Sequence, residues 1–114
     1  MAARPIGFVG LGNMGGRMTR RLVAAGLSVL GFDVRADVVS ASGASPAASL
    51  GQIADACDLI LLSLPDSHAV EAVVEGPGGL MAHCRAGQTI VDLSTAAPRS
   101  TRQLAARFAD RGVV

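Results

Sequence analysis

The sequence predicts an α/β fold with a doubly wound, mainly parallel sheet, and three observations predict it. Apolar runs of strand length alternate with segments of helical periodicity along all 114 residues, the pattern of repeated strand–helix–strand units. The run Asp58-Leu59-Ile60-Leu61-Leu62-Ser63-Leu64 is apolar almost without interruption, which suits a strand with helices over both of its faces. The stretch Gly10-Leu11-Gly12-Asn13-Met14-Gly15 follows one apolar run and opens a helical segment. Its glycines stand where a tight strand-to-helix turn needs them.

The elements follow in order. A first strand is expected over residues 5–9 and a helix over 13–25. In that helix Met14, Met18, Leu22 and Ala25 recur at helical spacing and should face the sheet, with Arg17, Arg20 and Arg21 mostly toward solvent. Gly26 is a C-terminal stop. A second strand covers 28–32, and a short helix over 36–42 leads to a weak third strand at 44–47. Pro46 makes that third strand short and places it near an edge. A helical turn or two over 50–56 precedes the fourth strand, 58–64. Pro65-Asp66-Ser67 opens a helix to residue 74, Gly76-Pro77-Gly78-Gly79 is a loop, and 80–84 is a short helix. The fifth strand spans 88–93, and Ser94-Thr95-Ala96-Ala97-Pro98 turns into a last helix over 99–110 that Gly112 ends. Val113 and Val114 read as the opening of a sixth strand, so the expectation is one domain, residues 1–114, truncated at that strand.

Composition excludes several classes. Half of the residues are hydrophobic but the aromatics are only Phe8, Phe32 and Phe108, so the core must be aliphatic. Ten arginines against nine acids give a net charge of +1, with no electrostatic reason for a nucleic acid or an anionic membrane as partner. No lysine is present. Cys57 and Cys84 stand far apart without ligand spacing, which reads as reduced buried thiols and no metal site. No run approaches the roughly 20 apolar residues of a membrane span, and no secretory leader precedes the first strand, so a cytoplasmic protein is expected.

The glycine turn carries the chemistry. Gly10 permits the tight turn, Gly12 lets a pyrophosphate approach the backbone, and Gly15 lets the helix pack close to the strand. The N–H groups around Asn13 and Met14 would then face phosphates at the positive end of the helix. Asp33 lies 18 residues beyond Gly15 at the end of the second strand, where its carboxylate can accept the adenosine ribose hydroxyls. Strand, G-x-G-x-x-G turn, helix, strand and acid together form the dinucleotide-binding fingerprint of a Rossmann-type domain. NAD is the expected cofactor, because a 2′-phosphate at Asp33 would meet a like charge. Arg35 keeps NADP as the alternative, since a nearby arginine can hold that phosphate.

Phe8-Val9-Gly10-Leu11-Gly12-Asn13-Met14-Gly15 with Met18 resembles the β-hydroxyacid dehydrogenases. That is the family of 3-hydroxyisobutyrate dehydrogenase, tartronate semialdehyde reductase and, more distantly, 6-phosphogluconate dehydrogenase. The resemblance continues at Leu64-Pro65-Asp66-Ser67 and at Asp92-Leu93-Ser94-Thr95 with Pro98, so it covers nearly the whole chain. It implies that Leu64 and Pro65 line the adenosine and ribose side of the cofactor. Thr95 would lie near the nicotinamide, and Ser94 beside it where substrate enters. For Ser94 and Thr95 a plain cap of the last helix is the competing role. Thr19 and Arg21 stand where the family often has a small residue and an asparagine, while Asp33-Val34-Arg35 looks like its NAD-using branch.

The resemblance also implies what is missing. Family enzymes carry a serine-glycine-glycine substrate motif after the sixth strand begins and a catalytic lysine in a helical region beyond it; this chain has neither. No residue is therefore assigned as catalytic. His68 is a candidate base, with a surface or capping role as the plainer reading, and His83, Asp66, Glu71 and Glu75 read as structural or solvated. Two functions follow. One is the NAD-binding portion of an oxidoreductase acting on the CH–OH group of a small 3-hydroxyacid, whose helical domain and substrate are met only in a full-length parent. The other is a non-catalytic dinucleotide-binding module or remnant of a shortened gene. A methyltransferase fits less well, because Phe8 and Val9 occupy the strand end where an acid is usual; a flavin protein fits the later motifs less well. Apolar surface left exposed would favour self-association.

Overall fold

The computed structural model describes residues 4–94 and 98–113, and strands and helices alternate along it. The elements are β1 (Ile6–Val9), α1 (Asn13–Ala24), β2 (Val29–Phe32), α2 (Ala36–Ser42), β3 (Ser45–Pro46), α3 (Leu50–Ala56), β4 (Leu59–Leu62), α4 (Ser67–Glu75), α5 (Leu80–His83), β5 (Thr89–Asp92) and α6 (Pro98–Ala109). The described strands form one sheet in the order β3-β2-β1-β4-β5, and every neighbouring pair is parallel. The chain runs outward from β1 to β3, then crosses back to place β4 on the other side of β1. That reversal is a topological switch point, and a crevice opens beyond the carboxyl ends of the strands there.

Strand alternation divides the core in two. Phe8, Leu11, Val29, Val39 and Ala44 form one cluster, with Met18 and Leu22 of α1 packed against it. Val9, Leu30, Ile53, Ile60, Leu62, Val70, Leu80, Leu104 and Phe108 belong to the other, under α3 to α6. Neighbours Phe8 and Val9 thus enter opposite clusters, which is why these strands read as unbroken apolar runs. Full burial of Ile53, Ile60, Leu62 and Leu80 contributes roughly 1.5–3 kcal/mol apiece.

The amino ends of the strands are closed by the chain's own side chains. Here α3 ends on Ala56, and its last carbonyls need donors. Gln88 is 1% exposed, and its Nε2 donates to Ala54 O at 2.5 Å and Cys57 O at 2.9 Å. Its Oε1 accepts from Arg85 N. The guanidinium of Arg85 donates to Asp55 O and that of Arg4 to Asp55 O and Ala56 O, and Arg4 also pairs with Asp58 at 3.1 Å. Cys57 and Cys84 are buried free thiols.

Three expectations are modified. Met14 is 62% exposed and Ala25 is exposed; the residues of α1 buried against the sheet are Gly15, Gly16 and Thr19. Helical spacing identified a face, but the glycines bring the helix so close to the strand that only small side chains fit beneath its first turns. The third strand is shorter than expected, two residues at the sheet's edge, as Pro46 requires. Val113 belongs to no strand. It is 2% exposed, its N–H donates to Phe108 O, and Gly87 N donates to the neighbouring Gly112 O, so it finishes the turn after α6; Val114 lies outside the described residues.

Candidate functional site

At the carboxyl ends of β1, β2 and β4 lies a cavity of about 630 Å³. The glycine turn forms one wall through Gly10, Gly12, Asn13, Met14 and Gly15; Asp33, Val34 and Arg35 after β2 form its rim. Leu64 and Pro65 after β4, Ala69, Ala72 and Val73 of α4, and Ser94 after β5 close the opposite side.

The three glycines are distinguished by their surroundings. Gly10 has φ +93°, and a Cβ there would stand 2.1 Å from Ser63 O. A Cβ at Gly15 would stand 1.9 Å from Gly10 O, so α1 and the end of β1 touch backbone to backbone. A Cβ at Gly12 would meet nothing within 4 Å and would project into open space. The first two are glycine because the fold has no room. Nothing in the fold itself demands the third, so its vacant space fits a group from outside the chain.

The helix start tells the same story. α3 begins at Ser49, whose Oγ accepts from Gln52 N at 3.1 Å, and α4 at Asp66, whose Oδ1 accepts from Ala69 N at 2.8 Å. α1 begins at Gly12 with no side-chain cap and no acid in its first turn. Its first N–H groups lack intrahelical acceptors and lie in the cavity wall. The donor set and the dipole suit an anion, and a pyrophosphate fits.

Asp33 and Ser94 are both committed to the backbone. Asp33 Oδ2 accepts from Leu11 N at 2.8 Å and Oδ1 from Arg35 N at 3.0 Å. Ser94 Oγ accepts from Leu64 N at 2.7 Å, and Ser94 N donates to Asp92 Oδ1 at 2.8 Å. Ser94 therefore ties the ends of β4 and β5 together across 30 residues of sequence.

Of the residues singled out by sequence, Gly10, Gly12, Asn13, Met14, Gly15, Asp33, Leu64, Pro65 and Ser94 are brought together around the cavity. Leu11 is not in its lining: the side chain is 2% exposed and packs in the core, and its N–H is held by Asp33. Thr95 lies outside the described residues. His68 is exposed and does not line the cavity, while Asp66 is the cap of α4 and Glu75 pairs with Arg107. The α4 wall was missed, although Ala69, Ala72 and Val73 at i, i+3, i+4 were a legible helical stripe. No group of three or more potential metal ligands occurs among the described residues.

Residues 5–114 match the NAD binding domain of 6-phosphogluconate dehydrogenase. The chain belongs to that family. It is 42% identical over 111 residues to 2-(hydroxymethyl)glutarate dehydrogenase of Eubacterium barkeri, covering 95% of this chain and 37% of that protein. It is 33% identical to mitochondrial 3-hydroxyisobutyrate dehydrogenase of Mus musculus, covering 96% of this chain and 34% of the relative. Among solved structures, Psf3 in complex with NADP+ and 2-OPP superimposes with a TM-score of 0.90 at 32% identity, over 95% of this chain and 39% of that one. The chain spans little more than a third of the length of these relatives. Its cavity lies outside the carboxyl ends of the strands at the switch point, where open α/β sheets bind ligands. No helix among the described residues is long and apolar enough to cross a membrane.

Proposed function

We propose that this domain binds NAD as the cofactor portion of an oxidoreductase acting on the CH–OH group of a small 3-hydroxyacid. The uncapped start of α1 beneath a glycine whose absent side chain opens the cavity carries the proposal. In this reading the pyrophosphate lies against the N–H groups of Asn13, Met14 and Gly15. Asp33 takes the adenosine ribose hydroxyls, and Leu64, Pro65 and the α4 stripe cover the adenosine side. Ser94 stands near the substrate entrance. When bound, the dinucleotide supplies a hydride acceptor. This chain's residues bind and orient it and shield it from water; none of them is a lysine, so in this reading proton transfer is not assigned to them.

Asp33 favours NAD over NADP, and relatives that include hydroxyacid dehydrogenases support the substrate class. A cytoplasmic location and self-association through exposed apolar surface belong to the same proposal. The lack of any lysine supports a second reading, a module that holds the dinucleotide without turnover. Fluorescence titration with NADH tests the core claim. The chain should bind, Gly12→Ala should keep its melting temperature while losing at least tenfold in affinity, and 3-hydroxyisobutyrate should give no NADH with this chain alone. Unchanged NADH binding by Gly12→Ala would remove the proposed pyrophosphate site.

A further inference from the structure

We infer that Asp33 is a positioning residue for the glycine turn, so that the carboxylate facing the ribose also sets the shape of the phosphate cradle. The inference rests on the proposed dinucleotide site and adds a determinant of its cofactor specificity.

The β1–β2 ladder ends where Gly10 N donates to Phe32 O at 3.0 Å. Leu11 N is the next donor along the turn, and it meets Asp33 Oδ2 at 2.8 Å across 22 residues of sequence. Leu11 itself is 2% exposed, and its Cδ1 reaches so close to β2 that a Cβ on Gly31 would stand 2.7 Å from it. Side chain and N–H together fix Leu11 against β2, and with it the direction in which Gly12 leaves toward α1. Removing the acceptor would leave an N–H with no partner in a largely buried position. The second oxygen takes Arg35 N, which bends the chain after β2 and leaves Val34 94% exposed at the cavity rim. An ionised carboxylate has about four acceptor sites, so two remain for ribose hydroxyls.

Charge and anchor therefore cannot be removed separately by truncation. A small neutral residue at position 33 would relieve the repulsion of a 2′-phosphate but would also release the turn on which both dinucleotides lie. Asparagine keeps one acceptor oxygen for Leu11 N and drops the charge.

The test measures NADH and NADPH binding to the wild-type chain, Asp33→Ala and Asp33→Asn, with melting temperatures alongside. Asp33→Ala should weaken both dinucleotides, each by about tenfold or more, the loss of a hydrogen bond to a charged group. Asp33→Asn should weaken NADH but bind NADPH as well as or better than the wild type. A gain in NADPH affinity in Asp33→Ala, or a loss in Asp33→Asn equal to that in Asp33→Ala, would overturn the inference. Amide hydrogen exchange without ligand gives a readout independent of cofactor. Leu11 N–H should be protected in the wild type and in Asp33→Asn and exposed to exchange in Asp33→Ala; an unprotected Leu11 in the wild type refutes the inference. If the wild type binds neither dinucleotide while Leu11 behaves as expected, the proposed function fails and the positioning role stands.

Discussion

Two helix termini at opposite ends of the sheet, the last turn of α3 and the first turn of α1, meet the same chemical problem in opposite ways. Each has unsatisfied backbone groups. At the amino ends of the strands, the last carbonyls of α3 are met by Arg4, Arg85 and the buried Gln88. At the carboxyl ends, no side chain among the described residues caps the first turn of α1, and a Cβ at Gly12 would meet nothing within 4 Å. A helix end completed from within the chain contributes to stability, whereas one left open costs stability and provides a binding site. The contrast lies within one fold, with equally short connections, so it comes from side-chain choice: glutamine and arginine at one end, glycine at the other.

Substitutions at the two ends should separate these roles. The largest effect is expected at Gly15→Ala. Its Cβ would overlap Gly10 O at 1.9 Å, so backbone must move, at a cost of about 3 kcal/mol or more, and cofactor affinity should fall with the fold. Urea unfolding and NADH titration would register both losses. Gln88→Met should follow, costing about 2–3 kcal/mol because two carbonyls and one N–H lose their buried partner. NADH affinity of the folded protein should stay within about twofold, since a hydrogen-bond loss confined to the far end of the sheet leaves the cradle intact. A parallel loss of affinity would break the division between the two ends.

The smallest effect concerns Cys57, also at the closed end. Burial pushes its thiol from 9.0 up to about 11; Arg4 draws it down and Asp58 raises it. The folded state therefore keeps the proton where the unfolded chain gives it up. Stability from this group is complete below pH 9.0 and is lost as pH rises through about 11. At pH 10 the loss is on the order of 1 kcal/mol. With no tyrosine and no lysine in the chain, this window holds few other titrations. Comparing urea midpoints at pH 8 and pH 10 should show the fall, and Cys57→Ala should remove it.

Much of the fold was legible because it depends on local pattern. The α2 and α3 boundaries, the central strand β4 and the edge position of Pro46 follow from periodicity, apolar runs and the missing proline N–H. The jobs of Gly10 and Gly15 were also legible, since they concern backbone approach at a turn whose flanking elements are visible in sequence. Met14 was misplaced for a related reason. Periodicity shows which residues share a face but not how near that face lies to the sheet, and that distance is set by Gly15 against Gly10 O. The bonds Asp33–Leu11, Ser94–Leu64 and Gln88–Ala54 join residues 22 to 34 positions apart. No periodicity encodes such pairs, because they depend on which strand ends become neighbours.

The sequence by itself determined the layered α/β fold, the glycine turn with its acid, and the kind of ligand they suit. Those properties arise from side-chain period, backbone permissiveness and the presence or absence of single groups. Only the tertiary structure decided which polar groups complete the fold and which stay available, because strand order sets that. By placing β2 and β4 on either side of β1 and β5 beyond β4, the sheet gives Asp33 to Leu11, Ser94 to Leu64 and Gln88 to α3, and leaves the start of α1 without a side-chain cap among the described residues.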